Sequence, residues 1–484
     1  VTLTDTHNLA QLKSINNATS GEITLNSYSV DLSGSASDVS DALAGTFASS
    51  YTGNVSLNTD HTLSQLKTIS NGTSGQITLN DVTLALSGSS ADLATALGGT
   101  FASAYTGDVA TSDAHNLAQL KAINNATSGT ITLNDASVSL SGSISDIKAA
   151  LAGSFAADYT GNVVITDGNG TAITATDITT IDGDTTGTIT VSNNINITGS
   201  AAQITSAVAV IDNFSATPSA TLDDAHTLAQ LKAINNAISG TISLNDYTVA
   251  LEGSTSDVKA ALAGTFGAAY TGNVTLNDAN TTSIAATDIT TIEGDTTGTI
   301  TVSNNINLTG TSAQIAAAVD DVNTFSGSPT AALSDAHTLA ELKAINNAIG
   351  GTITLNDASV SLSGSSSDVT AALNGFTNYT GNVSLGDAHT LAQLKTINNA
   401  TSGSITLNDA SVALSGSSAD IAAALTGITS YTGTASLTSN HTLAELVVIN
   451  NATSGTITLN SYGVALSGST SDIKAALAGT FASS

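Results

Sequence analysis

Blocks with different hydrophobic periods follow one another along the chain, and each predicts one element. Leu117, Leu120 and Ile123 are three residues apart, the spacing of one face of a short helix. Asn116 precedes this block and Gln119 lies three positions later, an arrangement in which each side chain can bond the other residue's backbone N–H. This pattern predicts a capped amphipathic helix.

The residues that follow change to a period of two, which is typical of half-buried strands. Asn134 and Asp135 form a turn between two such runs, and Ser143 with Asp146 marks the start of a second short helix. Each repeat therefore reads helix, strand, strand, helix, strand. The remaining segments of this order are strands at 129–133, 138–140 and 163–165.

One histidine marks the phase of this pattern along the whole chain. The histidines are His7, His61, His115, His226, His337, His389 and His441. Their gaps are 54, 54, 111, 111, 52 and 52 residues, so each long gap contains an extra repeat without a histidine. The period predicts nine repeats of roughly 54 residues. Their boundaries are 1–54, 55–108, 109–162, 163–219 (variant), 220–273, 274–330 (variant), 331–382, 383–434 and 435–484 (truncated).

The predicted fold class is an α/β repeat array of the solenoid type. Each repeat would carry two short helices and three short strands, and the array would form a strand-dominated, elongated rod. We expect one sheet to continue from repeat to repeat, because Pro218 and Pro329 are the only prolines that could interrupt strand pairing. The competing architecture is a string of separate small modules.

The composition excludes several functions. The net charge is −29, with nine lysines and no arginine, which argues against nucleic acid and anionic membranes as partners. Cysteine is absent, so disulfides and thiolate metal sites are excluded. No apolar run reaches the ~18 residues of a membrane span, and no signal peptide is visible. The chain begins at Val1 instead of Met, which indicates processing or excision from a longer chain.

The recurring histidine is the first candidate for chemistry, because an Asp lies one or two residues before most copies. An acid–imidazole pair or a pair of metal ligands would use this arrangement. The alignment, however, places Ile173 and Ile284 at the histidine position of the two variant repeats. A position that accepts Ile is predicted to be buried and structural, with the imidazole bonded to backbone at a helix start.

Two aromatic positions recur as well. The first holds Phe47, Phe101, Phe155, Phe214, Phe266, Phe325, Phe376 and Phe481, with Ile428 in one repeat. Replacement by Ile predicts a core position. The second holds Tyr51, Tyr105, Tyr159, Tyr270, Tyr379 and Tyr431, each in Tyr-Thr-Gly. For these tyrosines the prediction is half-burial with the hydroxyl in water, and a surface contact is the alternative.

No cofactor is required by any motif, and calcium is the one metal whose ligands are abundant. Weak calcium sites are predicted at Asp182 with Asp184 and at Glu293 with Asp295, in the variant repeats. The alternative is that Asp and Asn simply form turns. No repeat carries a unique polar constellation, so enzymatic activity is not expected.

The two ends of the sequence predict a junction between subunits. Val1, Thr2 and Leu3 match a strand that the last, truncated repeat lacks after Phe481 and Ser484. Either the chain is part of a longer repeat protein, or the first strand of one subunit completes the last repeat of the next. Both alternatives predict head-to-tail continuation.

The segments 227–237 and 286–300 resemble repeats of very long bacterial surface and extracellular proteins of cyanobacterial type. The resemblance implies export and a cell-surface or matrix role, without assigning a glycan or other surface partner. The leading hypothesis is a non-enzymatic extracellular protein that forms a rod, filament or surface layer with itself as partner. The alternatives are a calcium-stiffened adhesin stalk and, more remotely, an ice-binding protein that uses the pairs Thr130/Thr132 and Thr352/Thr354.

Overall fold

A computed structural model describes residues 1–483 of the chain. The chain divides into two compact bodies. The N-terminal body contains residues 1–246 and 264–268, and the C-terminal body contains the described residues 247–263 and 269–483. Both bodies are built from the same alternation of short helices and very short strands.

Helices recur at a nearly constant spacing, and the first six begin 27 residues apart, so a 54-residue repeat contains two of them. In chain order the helices are α1 (Leu9–Ala18), α2 (Ala36–Leu43), α3 (Leu63–Gly72), α4 (Ser90–Leu97), α5 (Leu117–Ala126), α6 (Ile144–Leu151), α7 (Ala175–Asp184), α8 (Ala201–Val210), α9 (Leu228–Ala237), α10 (Thr255–Leu262), α11 (Ala286–Asp295), α12 (Ser312–Asp321), α13 (Leu339–Ala348), α14 (Ser366–Leu373), α15 (Leu391–Ala400), α16 (Ser418–Leu425), α17 (Leu443–Ala452) and α18 (Thr470–Ala476).

The strands are two to four residues long. They are β1 (Leu32–Gly34), β2 (Val55–Leu57), β3 (Gln76–Thr78), β4 (Leu86–Gly88), β5 (Thr100–Phe101), β6 (Val109–Thr111), β7 (Ile131–Thr132), β8 (Leu140–Gly142), β9 (Val163–Ile165), β10 (Ala172–Thr174), β11 (Ile189–Val191), β12 (Asn196–Gly199), β13 (Asn213–Phe214), β14 (Ser219–Leu222), β15 (Thr241–Ser243), β16 (Leu251–Gly253), β17 (Thr265–Phe266), β18 (Val274–Leu276), β19 (Ser283–Ala285), β20 (Ile300–Val302), β21 (Asn307–Gly310), β22 (Thr324–Phe325), β23 (Thr330–Leu333), β24 (Ile353–Thr354), β25 (Leu362–Gly364), β26 (Val383–Leu385), β27 (Ile405–Thr406), β28 (Leu414–Gly416), β29 (Ala435–Leu437) and β30 (Ile457–Thr458).

The predicted helix starts are confirmed. Asn116 accepts a hydrogen bond from the backbone N–H of Gln119, whose side chain accepts one from the backbone N–H of Asn116. Ser143 caps α6 by accepting from the backbone N–H of Asp146. Such caps bind backbone donors that a helix of 8 to 10 residues leaves free, and they stabilise a helix too short to form alone.

All strand pairs between these elements are parallel, and the strands form several separate sheets. In the N-terminal body the strand orders are β1-β2-β3-β5, β4-β6-β7, β8-β9-β11-β13 and β10-β12-β14-β15-β17. In the C-terminal body they are β16-β18-β20-β22, β19-β21-β23-β24, β25-β26-β27 and β28-β29-β30. Strands β2 and β3 pair directly and are joined through α3, which is the crossover connection that parallel strands require.

Two parts of the predicted fold were wrong. The strands do not form one continuous sheet, because β4 starts a new sheet while β3 and β5 still belong to the previous one. The array is also not strand-dominated, since helical residues (34%) outnumber strand residues (22%). The repeated helix–strand order of a solenoid-type array is what the structure supports.

The core lies between the stacked helices and the sheets of each body. In repeat 109–162 it contains Leu120, Ile123, Ile131, Ile147 and Leu151, each at most 2% exposed. Within each body consecutive helices pack against one another, from α1 to α9 and from α10 to α18. The phenylalanines of the recurring position, such as Phe101 and Phe155, are half-buried and pack against this core.

Candidate functional site

The histidine position is buried, as predicted. Every histidine is at most 6% exposed. His115 lies two residues before the first residue of α5, and Ile173 lies two residues before the first residue of α7. Ile173 and Ile284 are 2% and 4% exposed, so the position buries either side chain.

Four histidines are each paired with a tyrosine and not with the backbone, contrary to the prediction. The Nε2 atom of the imidazole lies 2.9–3.2 Å from a tyrosine hydroxyl in four repeats. The pairs are His7–Tyr51, His115–Tyr159, His337–Tyr379 and His389–Tyr431. In a further repeat the rings of His61 and Tyr105 are 6.3 Å apart, and the structure gives His61 no hydrogen bond within residues 1–483.

The tyrosine hydroxyls are not in water, so that prediction was also wrong. Tyr159 is 2% exposed, and its hydroxyl donates to the carbonyl oxygen of Val138 at 2.5 Å. Burial raises the pKa of this phenol well above its ordinary value, and it raises that of Tyr105 to about 12. The phenols therefore stay neutral and keep their single hydrogen.

The hydroxyl hydrogen of the tyrosine determines which nitrogen of the imidazole carries a hydrogen. Because the Tyr159 hydroxyl uses its hydrogen on Val138, its oxygen can only accept from His115. The imidazole must donate from Nε2, and its Nδ1 then carries a lone pair and no hydrogen. Burial lowers the pKa of His115, which favours the same neutral form.

The Nδ1 atoms lack a hydrogen-bond partner. This holds among the described residues for His7, His61, His115, His337, His389 and His441. A buried polar atom without a partner is uncommon, since most find protein or water. The same arrangement recurs from repeat to repeat, so it is a property of the fold.

The aspartates that precede the histidines cap helices and do not form the acid–imidazole pairs considered from the sequence. Asp113 accepts hydrogen bonds from the backbone N–H and the hydroxyl of Ser90, both at 2.7 Å. It thereby caps α4, which begins at Ser90, 23 residues earlier in the chain. In other repeats Asp224, Asp335 and Asp387 cap α8, α12 and α14 by accepting from the backbone N–H of the first helical residue.

Histidine and tyrosine also vary together inside the chain. The tyrosine follows its histidine by 44 residues in the longer repeats, as for His115 and Tyr159. In the variant repeats, where Ile173 replaces histidine, the residue 44 positions later is Thr217. Ile284 is matched in the same way by Ser328. This joint replacement was visible in the sequence and could have revealed the pair.

The predicted calcium ligands do not converge. Asp182 and Asp184 lie in the last turn of α7, and Glu293 and Asp295 lie in the last turn of α11. Helical residues two positions apart do not face each other, so the two side chains of each pair point to different sides of the helix. Burial raises the pKa of Asp184 and of Asp295. Among residues 1–483 no group of three or more His, Asp or Glu side chains could hold a metal, and calcium binding stays a prediction.

Two of the predicted junction residues, Thr2 and Phe481, form isolated parallel bridges near the two ends of the described chain. Thr2 pairs in parallel with Thr24, and Leu3 donates its backbone N–H to the carbonyl of Thr24 at 2.8 Å. Val1 is 59% exposed. Phe481 pairs in parallel with Ile457, whereas Ser484 lies outside the described residues.

Ion pairs connect neighbouring helices and account for most of the lysines. Seven lysines bind aspartates of the next helix: Lys13–Asp38, Lys67–Asp92, Lys121–Asp146, Lys148–Asp177, Lys259–Asp288, Lys343–Asp368 and Lys395–Asp420. The hydrogen bond from Lys121 lowers the pKa of Asp146. Most of these side chains are 30–48% exposed, so water and salt screen the pairs.

We therefore expect Lys121→Ala to have little effect on stability. Both partners are about 40% exposed, and exposed pairs contribute little net free energy. Thermal unfolding of the variant in low and high salt checks this, with Lys474→Ala, which makes the same charge change at an exposed lysine of α18, as the control. A large, salt-sensitive loss for Lys121→Ala would show that the ladder of ion pairs holds the helices together.

Comparisons with known proteins give no family. No family model matches the chain, and no curated protein does. The leucine-rich-repeat ectodomain of the plant membrane receptor kinase GASSHO1/SCHENGEN3 from Arabidopsis thaliana, in complex with CASPARIAN STRIP INTEGRITY FACTOR 2, is 12% identical over 92% of this chain. Its TM-score is 0.15, and the chain spans 57% of its length. The plant peptide hormone receptor RGFR1 in complex with RGF2 is 10% identical over 90% of this chain and 79% of its own, with a TM-score of 0.14. Likeness at this level assigns neither a fold family nor a function.

None of the helices within residues 1–483 is both long and apolar enough to cross a membrane.

Proposed function

We propose that this protein is a non-enzymatic structural scaffold outside the cell, which lengthens by adding repeats end to end. The observation that carries the proposal is the repeated pairing of Leu-x-Gly strands. The strands β1, β4, β8, β16, β25 and β28 all have this sequence, and each pairs in parallel with a three-residue strand that begins 21 or 23 residues later, beyond the next helix.

The same sequence lies at Leu466–Gly468, just before α18, where it has no strand partner among the described residues. At the other end, Thr2 pairs with Thr24 on one side only, whereas the matching strand β2 pairs with both β1 and β3. The C-terminal end has an unpaired Leu-x-Gly segment. The N-terminal end has a Val-x-Leu segment of the kind that pairs with Leu-x-Gly strands in the internal repeats. Unpaired strand edges of this kind are templates for another strand.

An apolar side chain supports the same junction. Leu477 follows α18 and is 54% exposed, whereas the matching Leu43, Leu97 and Leu151 are at most 3% exposed against the next helix. In the internal repeats, the following turn thus covers the leucine at this position. The covering turn has the same chemistry whether it comes from a second copy or from further repeats of a longer polypeptide. In a solution of the 484-residue polypeptide, a second copy is the source of this turn that we propose.

The test uses the 484-residue polypeptide itself. We expect sedimentation and electron microscopy to show end-to-end oligomers whose length rises with protein concentration. Leu477→Asp should shift the protein to monomers, because it places a charge in the junction at a side chain that is already exposed in one copy. Ala118→Asp adds the same charge at an exposed position of α5 and should leave the oligomers unchanged. If the parent polypeptide and both variants are monomers at every concentration, the proposal is overturned.

A further inference from the structure

The histidine–tyrosine pairs have a consequence for acid stability. In each pair the imidazole already donates from Nε2 to the phenol, so a second proton must go to Nδ1. That atom is buried and has no hydrogen-bond partner in the described chain, as in His115 and His337. A charged N–H without an acceptor in the core is strongly unfavourable.

The nearby carboxylates do not remove this cost. Asp113 and Asp135 face His115, and their charges favour a protonated imidazole, yet burial has the larger and opposite effect on its pKa. Asp113 is bonded to Ser90, and Asp135 is bonded to the backbone N–H and hydroxyl of Ser137. Neither oxygen pair is bonded to the imidazole.

Carboxylates also face four of the other histidines. Facing each histidine are Asp60 and Asp81 for His61, Asp224 and Asp246 for His226, Asp335, Glu341 and Asp357 for His337, and Asp387 and Asp409 for His389. His7 has no carboxylate with a resolved effect on its pKa. In all of these histidines burial is the largest effect, and it lowers the pKa.

We propose that these buried pairs form a repeated acid-sensitive device, which loosens the histidine-containing repeats in mildly acidic solution and leaves the variant repeats closed. The variant repeats place Ile173 and Ile284 at the same position and carry no titrating group there. The two kinds of repeat therefore differ in their response to protons within one chain.

The direction follows from linkage. A free imidazole has a pKa of about 6.5, and burial lowers that value in the folded state. The unfolded or opened state therefore binds more protons as the pH falls below about 6.5. The stabilising contribution is complete above that pH and is lost as the pH falls toward the lowered folded pKa. Each histidine raises the opening equilibrium constant by up to about tenfold per pH unit in this window.

The carboxylates Asp113 and Asp135 affect stability in a lower pH range than the imidazoles. Hydrogen bonds to Ser137 hold the pKa of Asp135 below its ordinary value, and hydrogen bonds to Ser90 do so for Asp113. Their stabilising contribution is present above a pH of about 4 and is lost below it. In α5 a change between pH 7 and pH 5 therefore reports on the imidazole. In α7 burial raises the pKa of Asp184, which can only increase protection there as the pH falls.

Hydrogen exchange on the full chain, resolved by repeat and corrected for the intrinsic rate, tests the proposal. Between pH 7 and pH 5.5 we expect protection to fall by up to about tenfold in α5, which follows His115, and not to fall in α7, which follows Ile173. His115→Ile should make α5 behave like α7. Tyr159→Phe keeps the imidazole and should keep the acid response, although the repeat becomes less stable.

Two results would overturn the proposal. One is an equal response of α5 and α7 to pH in the parent chain. The other is an acid response of α5 that His115→Ile leaves unchanged. Nitrogen NMR gives an independent reading, because an Nδ1 atom without hydrogen has its own chemical shift. Imidazoles of the folded chain that titrate at or above a pH of about 6.5 would also contradict it.

Discussion

Gly161→Ala is expected to open the repeat around Tyr159 and to cost about 3 kcal/mol or more in the free energy of unfolding. A Cβ atom at Gly161 would lie 2.0 Å from the carbonyl oxygen of Val138 and 2.8 Å from the ring of Tyr159. Neither can give way easily, since that carbonyl is the acceptor for the buried phenol. Native-state hydrogen exchange of α5 and α6 measures the loss.

The control for this variant is Gly183→Ala. Gly183 lies in α7, and a Cβ there would meet nothing within 4 Å. Alanine stabilises an unstrained helical position by about 0.5–1 kcal/mol relative to glycine. Equal effects of the two variants would show that the Tyr-Thr-Gly glycine is not required for the close backbone approach.

The second large effect is expected from the tyrosine itself. Tyr159 is 2% exposed, so Tyr159→Ala leaves a large cavity and should cost about 3–5 kcal/mol. Tyr159→Phe keeps the ring but leaves the Val138 carbonyl without its donor and the His115 Nε2–H without its acceptor. Its expected cost is about 1–3 kcal/mol.

A double-mutant cycle separates these contributions. In the combined variant of Tyr159→Phe and His115→Ile only the Val138 carbonyl lacks its partner, so its cost should be smaller than the sum of the single costs. Tyr462→Phe is the matched control, because Tyr462 is 44% exposed and water can replace its hydrogen bond to Ala482. Strict additivity would mean that the histidine and the phenol do not act together.

Local structure could be predicted well because its causes are local. The capping box of Asn116 and Gln119 spans three residues, and both hydrogen bonds are in the structure. The buried stripe of Leu120 and Ile123 follows from helical spacing in the same way. The turn at Asn134 and Asp135 is closed by the Asp135 carboxylate, which accepts from Ser137 two residues later.

Strand pairing could not be predicted, because three residues carry too little pattern to specify a partner. The sequence shows that residues 86–88 can form a strand, but not that β4 pairs with β6 and starts a new sheet. Register between such short strands is determined by the helices between them. The expectation of one continuous sheet failed for this reason.

The site was only partly predictable. Burial of the histidine follows from its replacement by Ile173, since a polar contact to solvent would not tolerate that change. The partner was missed because Tyr-Thr-Gly looks like a surface turn, with a phenol next to polar residues. Its burial depends on Val138, 21 residues earlier, whose carbonyl oxygen binds the hydroxyl.

Helix starts are capped by residues of the following turn, so stability is transmitted along the chain in one direction only. The start of α4 depends on Asp113 and the start of α6 on Asp167, each 23 residues further on. Loss of a turn on the C-terminal side therefore exposes the helix start before it, whereas loss of a turn on the N-terminal side leaves the remaining caps in place. During synthesis each new turn therefore supplies the cap for the helix made just before it. In the finished array the C-terminal end is expected to fray more easily than the N-terminal end.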